Sequence, residues 1–185
     1  MATLYTRVTE REFIKKVLSG ERDFSGIELV DEYDSALPSL TSFFKYNESV
    51  AYLIQQDLER NPINLSNSRL SVLKTIGLYL PYTNFDSADL EGAYLELANL
   101  EGSSFRKSML GRACFIQANL GGSDFEGADF TSTNIVRAVL TRTKNLENAL
   151  NLEHAIFGDT YITVAEQSVI EKALERRPQP FYVVS

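Results

Sequence analysis

His154 is the only histidine and Cys114 the only cysteine among 185 residues. These two carry most of the chemistry a protein surface can do with few groups. A structural zinc site needs four His or Cys ligands and a catalytic one three, and one of each, forty residues apart, supplies neither. A nucleophilic thiol needs an adjacent base to deprotonate it. Cys114 stands between Ala113 and Phe115 in an outward position, with no base near it in the chain. A lone cysteine also rules out an intrachain disulfide. Carboxylates are more plentiful: Asp86, Asp89, Glu91, Glu96, Glu101, Asp124, Glu126 and Asp129 fall within fifty residues. Paired carboxylates perform acid–base catalysis when a cleft shifts their pKa values apart, so what matters is whether the fold gathers them. Neither GxGxxG nor GxxxxGK[ST] occurs, so no phosphate-cradling loop is expected. We assign no catalytic, cofactor-binding or metal-ligating residue, and expect a protein that is not an enzyme.

The elements that carry these side chains follow an unusual period. In "NFDSADLEGAYLELANLEGSSF" a large apolar residue recurs every fifth position, at Phe85, Leu90, Leu95, Leu100 and Phe105. The frame runs back through Leu80, Thr75, Leu70 and Leu65, and forward through Leu110, Phe115, Leu120, Phe125, Phe130, Ile135 and Leu140. From Ala88 to Ala138 every residue two before a centre is Ala, Ser or Thr. Five is the period of neither a helix nor a strand. In extended backbone the small residue and the centre point the same way, and the residue between them points out. The next two residues must both avoid the interior, which requires a turn. Gly77, Gly92, Gly102, Gly122 and Gly127 occupy the second turn position, where positive φ is needed. Each block is therefore a short side followed by a corner, and repeated corners coil the chain into a stack. On this geometry the carboxylates lie outward on a convex surface, away from any cleft.

"SADLEGAYLELANLEG" and "QANLGGSDFEGADF" resemble the pentapeptide-repeat family, whose pattern is small, Asp/Asn, Leu/Phe, polar, Gly. The resemblance covers about residues 63–140, and more weakly extends to 162. It implies an all-β solenoid: a right-handed quadrilateral β-helix with four blocks per coil, here with α-helical caps at the N- and C-termini. Asp89, Asn99, Asn119 and Asp129, between the inward pairs, are expected to be exposed. Thr75 as a centre, with Leu73 and Leu78 at small positions, predicts a distorted first coil. Asn145 falls where an apolar centre is due. The frame resumes two residues late at Leu152, Phe157 and Ile162, with Leu150, Ala155 and Thr160 two before them, so 141–148 reads as a small bulge.

Stacked backbone leaves unpaired groups at each end, which helices can cover. "TEREFIKKVLSG" reads as a helix, with Thr9 and Glu12 as a capping box and Gly20 as its stop. "TVAEQSVIEKALERRP" repeats the arrangement with Thr163 and Glu166, an apolar stripe of Val164, Ile170 and Leu174, and Pro178 after its end. Phe24 and Leu29 form a stray side. A further helix is expected at about 48–60, with Val50, Leu53, Ile54 and Leu58 on one face. The expected organisation is 1–62 as an N-terminal helical cap with the stray side at 24–29 and a helical excursion that either covers the first coil or is presented to a partner, 63–162 as the β-helix, and 163–185 as a C-terminal helix and tail.

The net charge is −7, which disfavours direct binding to nucleic-acid phosphates. No segment reads as a signal peptide or has the ~18 apolar residues of a membrane span, so a soluble cytoplasmic protein is expected. With four blocks per coil, residues twenty apart share a face. Three faces mix acids with Arg69, Arg106, Lys107, Arg112 or Arg142. The fourth carries Tyr94, Leu97, Ile116 and Val136, with Ile76 nearby. Contiguous exposed apolar surface marks an interface, so these four are the candidate interaction residues of a non-catalytic scaffold for a protein partner or a second copy. The distal helix or the tail "QPFYVVS" is the other possible cover. The alternative function comes from the resemblance: some family members imitate duplex DNA and bind type II topoisomerases, and the acidity is compatible with that.

Overall fold

The computed structural model describes residues 4–30, 47–71, 73–175 and 180–184. Its framework is a set of parallel ladders in which bridged residues lie twenty apart. Side A runs through Arg69, Asp89, Met109 and Asp129, and side B through Lys74, Tyr94, Cys114 and Asn134. Side C runs through Tyr79, Asn99, Asn119 and Val139, and side D through Asn64, Asn84, Ser104 and Asp124. Each side is three residues long, with the bridging residue facing out and its two neighbours facing in. The inward residues at Phe85, Leu90, Leu95, Leu100, Phe105, Leu110, Leu120, Phe125 and Phe130 are all buried. Phe85, Phe105 and Phe125 stack along the axis, with ring centroids 5.0 and 5.5 Å apart, so the period of five places like on like inside the coil.

The corners are β-turns. From Ala88 to Ala138 the N–H of each small residue donates to the carbonyl of the preceding centre, as from Ala88 to Phe85 at 3.0 Å and from Ala93 to Leu90 at 2.9 Å. The residue before each small one has φ near +57 to +74, whether it is Gly77 or Gly92, or a side-chain-bearing residue such as Ser87, Leu97, Lys107 or Gln117. A non-glycine residue in this region costs about 1–2 kcal/mol, so the inter-coil hydrogen bonds must enforce the corner. The small residues are chosen for room and for bonding. Ser123 Oγ donates to Leu100 O at 3.1 Å and Thr133 Oγ1 to Leu110 O at 2.8 Å, each reaching the coil before. The expected distortion of the first coil does not reach the backbone, since Lys74 bridges Tyr94 and Tyr79 bridges Asn99 in regular register, but Thr75 is buried with a hydroxyl that lacks a hydrogen-bond partner. Near it, Phe13, Leu29, Leu70, Leu73 and Leu78 surround a void of about 10 Å³.

Sides A and D extend further toward the N-terminus than B and C. Strand β1 (Thr6–Thr9) pairs in parallel with β2 (Ile27–Val30), and Glu28 then bridges Arg69 on side A while Asp23 bridges Asn64 on side D. Phe24 and Leu29 are buried in the same core. Between β1 and Asp23 the chain passes through helix α1 (Glu10–Leu18) where sides B and C would run. Its capping box is present, with Glu12 N donating to Thr9 Oγ1 at 3.2 Å and Thr9 N to Glu12 Oε2 at 3.1 Å. Phe13 packs edge-on against Phe24 at 4.8 Å. Between β2 and Asn64 the chain includes α2 (Asn47–Gln55), shorter than the expected 48–60 because a turn begins after Gln55. Leu53 and Leu58 are buried but Ile54 faces solvent; the side chain of Val50 lies outside the described residues.

The bulge is a correction. Lys144 still bridges Asp124, but Leu150 bridges Asp129 and Ile156 bridges Asn134, offsets of 20, 21 and 22. One residue is inserted at each of two successive corners. Asn145 and Asn151 take positive φ, and short 3-10 turns at Leu146–Asn148 and Leu152–His154 follow. Leu146 and Leu152 fill the interior, whereas Leu150, expected inward, is 53% exposed because it is the outward bridging residue. After β3 (Thr160–Ile162), helix α3 (Val164–Ala173) buries Ile170 and Leu174. Val164, expected on that stripe, is 70% exposed, and Glu166 is buried instead. Glu166 accepts from Thr163 N at 2.8 Å and from Thr143 N at 3.0 Å, tying the helix to the widened coil. Strand β4 (Phe181–Val183) then pairs in parallel with β3 and extends side C. Pro178 lies outside the described residues.

Candidate functional site

The coil disperses the groups that could do chemistry. His154 sits on an exposed corner, its Nδ1 3.7 Å from Glu153 Oε1. Cys114, expected to be outward, is only 8% exposed. It is the bridging residue between Tyr94 and Asn134, and a short side chain in that position is covered by the neighbouring coils. Among the described residues no three His, Cys, Asp or Glu side chains converge as metal ligands do. A groove of about 490 Å³ lies between the two 3-10 turns and α3, lined by Leu146, Leu152, Val169, Glu147, Glu153 and Lys172. Another, of about 440 Å³, follows a corner past Tyr82, Glu101, Gly102, Gly122, Arg142 and Lys144. Neither contains His154 or Cys114.

The outward Asp and Asn residues have a structural task. Asn84, Asp89, Asn99, Asn119, Asp124, Asp129 and Asn134 each accept, through Oδ1, the backbone N–H two residues later, at 2.9–3.2 Å. This Asx-turn folds the side chain back over the corner. For that reason Asp89, Asn99, Asn119 and Asp129 are half-buried, a correction to their expected exposure. Partial burial pushes the Asp124 carboxyl upward. Hydrogen bonds from Asn145, the Glu126 N–H and Arg106, with the charge of Arg106, outweigh burial and hold it below its ordinary value. Asp129 is lowered likewise, against its burial, chiefly by Asn151 and Thr131. Arg106 bridges both Asp124, at 3.2 Å, and Glu126, and Arg112 lies 3.5 Å from Glu91. The acidic sides are thus interrupted by paired cations.

Exposed apolar residues occur on side A at Met109 and Leu150, at the end of side C at Tyr161 and Tyr182, and on side B with the corner that leads to side C. Tyr94 is 44% and Leu97 50% exposed, while Ile116 and Val136 are half-buried against each other's coils. Backbone hydrogen bonds from Gly77 N to Glu96 O, Leu97 N to Ile116 O and Gln117 N to Val136 O, at 2.8–2.9 Å, set Ile76, Glu96, Ile116 and Val136 one above another. Ile76 and, at the far end of side B, Ile156 are also exposed. Ile156 was legible as outward, between Ala155 and Phe157, once the offset of the last coil is known. Among the described residues of the tail, β4 stacks on β3 away from this ridge, and Tyr182 lies 5.5 Å from Tyr161 on side C.

With twenty-residue coils, small inward residues and Asx corners in place, the family comparison is decisive. A family model for pentapeptide repeats matches residues 83–122 and 110–144, with eight copies. Residues 83–144 are pentapeptide repeats. The repeats imply a right-handed quadrilateral β-helix, and the four ladders are its sides. Among solved pentapeptide-repeat structures, the chain is similar to HetL, involved in heterocyst differentiation regulation, from the cyanobacterium Nostoc. Identity there is 17% over 84% of this chain and 60% of that one, with a TM-score of 0.42. It is similar to Rfr23 from the cyanobacterium Cyanothece at 20% identity, over 82% of this chain and 95% of that one, with a TM-score of 0.39. QnrB1, a plasmid-mediated fluoroquinolone resistance protein, shares 16% identity over 88% of this chain and 84% of that one, with a TM-score of 0.35. No protein of curated function matches this chain. No helix among its described residues is long and apolar enough to cross a membrane.

Proposed function

We propose that this protein is a non-catalytic scaffold that docks a protein partner along the ridge of Tyr94, Leu97, Ile116 and Val136. The observation that carries this reading is that the register which buries the neighbours of these four turns the four outward in three adjacent stacks, on side B and the corner beside it. Among the described residues the tail strand is stacked elsewhere. An apolar ridge in water is unfavourable by about 25 cal/mol per Å², so a partner gains by covering it. On the same reading, residues 1–62 and 163–185 contribute helical covers to a central β-helix at 63–162. A reducing cytoplasm suits the lone thiol of Cys114.

Imitation of DNA is the weaker reading. Asp89, Asp124 and Asp129 are held down in Asx-turns, and Arg106 and Arg112 pair with Asp124, Glu126 and Glu91, which argues against a continuous anionic stripe on sides A and D.

The test replaces Tyr94, Leu97, Ile116 and Val136 with Ser together. Capture of partner protein from native lysate is expected to be lost while the thermal unfolding curve is retained. Unchanged capture by the variant overturns the reading.

A further inference from the structure

Glu96 occupies the middle of the ridge, in the corner stack between Ile76 and Ile116. Its side chain is half-buried and makes no ion pair or hydrogen bond among the described residues. Among the described residues, the cations beside the ridge are already engaged. Arg137 lies 3.7 Å from Asp159, Arg112 is paired with Glu91, and Lys74 has a partner of its own. Anything that covers the ridge strips water from the Glu96 carboxylate, and a buried carboxylate without a counter-charge is strongly destabilising.

That requirement selects the occupant. A second copy docked about a twofold axis presents the same surface to itself. With the axis through the middle of the ridge, where Glu96 stands, it would bring Glu96 toward its own counterpart, and among the described residues the cations beside the ridge are engaged elsewhere, so like-charge juxtaposition disfavours that partner. An all-apolar segment would leave the carboxylate unpaired. A guanidinium or ammonium flanked by apolar side chains satisfies both parts of the ridge, and arginine does so with two parallel hydrogen bonds. We propose that the ridge takes a segment of a different protein that carries an arginine or lysine between apolar side chains, with Glu96 as its specificity determinant. This rests on the reading of the ridge as a docking face, and it adds the chemistry of the partner.

The test pans a displayed random dodecapeptide library on three proteins: wild type, Glu96→Lys, and the quadruple serine variant. The altered side chains all lie outside the core, so unfolding curves should coincide. Wild type is expected to recover peptides with a basic residue between apolar ones, Glu96→Lys peptides with an acidic residue there, and the quadruple variant neither. One recovered peptide, resynthesised with its basic residue changed to Glu, should bind wild type at least about tenfold more weakly, ~1.4 kcal/mol, and regain affinity for Glu96→Lys. If wild type and Glu96→Lys recover peptides of the same charge, the role of Glu96 is overturned while the docking face stands. Self-association of wild type in sedimentation velocity, lost in the quadruple variant, replaces the foreign partner with a second copy and overturns the proposal. Recovery of the same peptides by the quadruple variant, or of none by wild type, overturns the docking face itself.

Discussion

Asn145 donates its side-chain amide to Asp124 Oδ1 across 2.9 Å, from the widened last coil to the coil before it. Asn151 repeats the contact with Asp129 at 2.9 Å. Both asparagines have positive φ, a conformation that Asn tolerates better than most residues. Each therefore turns an inserted corner and ties it to a carboxylate at once.

Asn145→Asp preserves size and corner tolerance but replaces the donor with an anion facing Asp124. The Asp124 pKa is lower in the folded chain than in the unfolded one. Its stabilisation is accordingly complete above the unfolded value of about 3.9, and fades as pH falls through the folded value. We expect the variant to lose about 1–2 kcal/mol at pH 7, and the gap from wild type to narrow below about pH 4 as both carboxyls protonate. Urea unfolding at pH 7 and pH 3 measures it; a pH-independent gap contradicts the electrostatic account.

Thr83 and Thr133 occupy equivalent inward positions with opposite hydrogen-bonding. The Thr83 hydroxyl is buried without a partner, whereas Thr133 Oγ1 donates to Leu110 O at 2.8 Å. Valine has nearly the same shape. Thr83→Val should be neutral or stabilising by up to about 1 kcal/mol, and Thr133→Val destabilising by about 1 kcal/mol. Equal losses in chemical denaturation would show that the hydroxyl bonds do not set the choice of small residue.

Gly92 and Gly102 separate backbone strain from crowding. Both have φ near +68, but a Cβ at Gly92 meets nothing within 4 Å, while one at Gly102 falls 2.6 Å from the Tyr82 ring. Gly92→Ala should cost about 1–2 kcal/mol from conformation alone. Gly102→Ala should cost about 1–3 kcal/mol more, an excess that a Tyr82→Ala background removes. Thermal melts of the two singles and the double decide it.

The coil was legible because its rule is local: a small residue, an outward one and a large one can be recognised wherever they recur. The end of the coil obeys an equally local rule of period six. "NLENAL" is followed directly by "NLEHAI", and reading those twelve residues in fives made two single insertions look like one bulge and sent Leu150 inward. Burial of Cys114 was not legible, since its cover comes from coils twenty residues away in either direction. The half-burial of Asp89 and Asp129 required knowing that their carboxylates bend back to the next corner. Of the candidate ridge, Tyr94, Leu97, Ile116 and Val136 followed from register, but not that Glu96 stands unpaired among them. Three residues of β4 carry too little alternation to reveal which strand they join.

Among the described residues, departures from twenty residues per coil fall at corners. One residue enters at Asn145 and one at Asn151, α1 stands between β1 and Asp23 where two sides would run, and the ladders on either side stay in register. An insertion within a three-residue side would instead turn its core residues out to water. Length variation in this architecture is therefore digital in place but open in amount. The sides admit no indels, whereas the corners can host anything from one residue to a folded segment, and new loops can arise there without disturbing the coils already built.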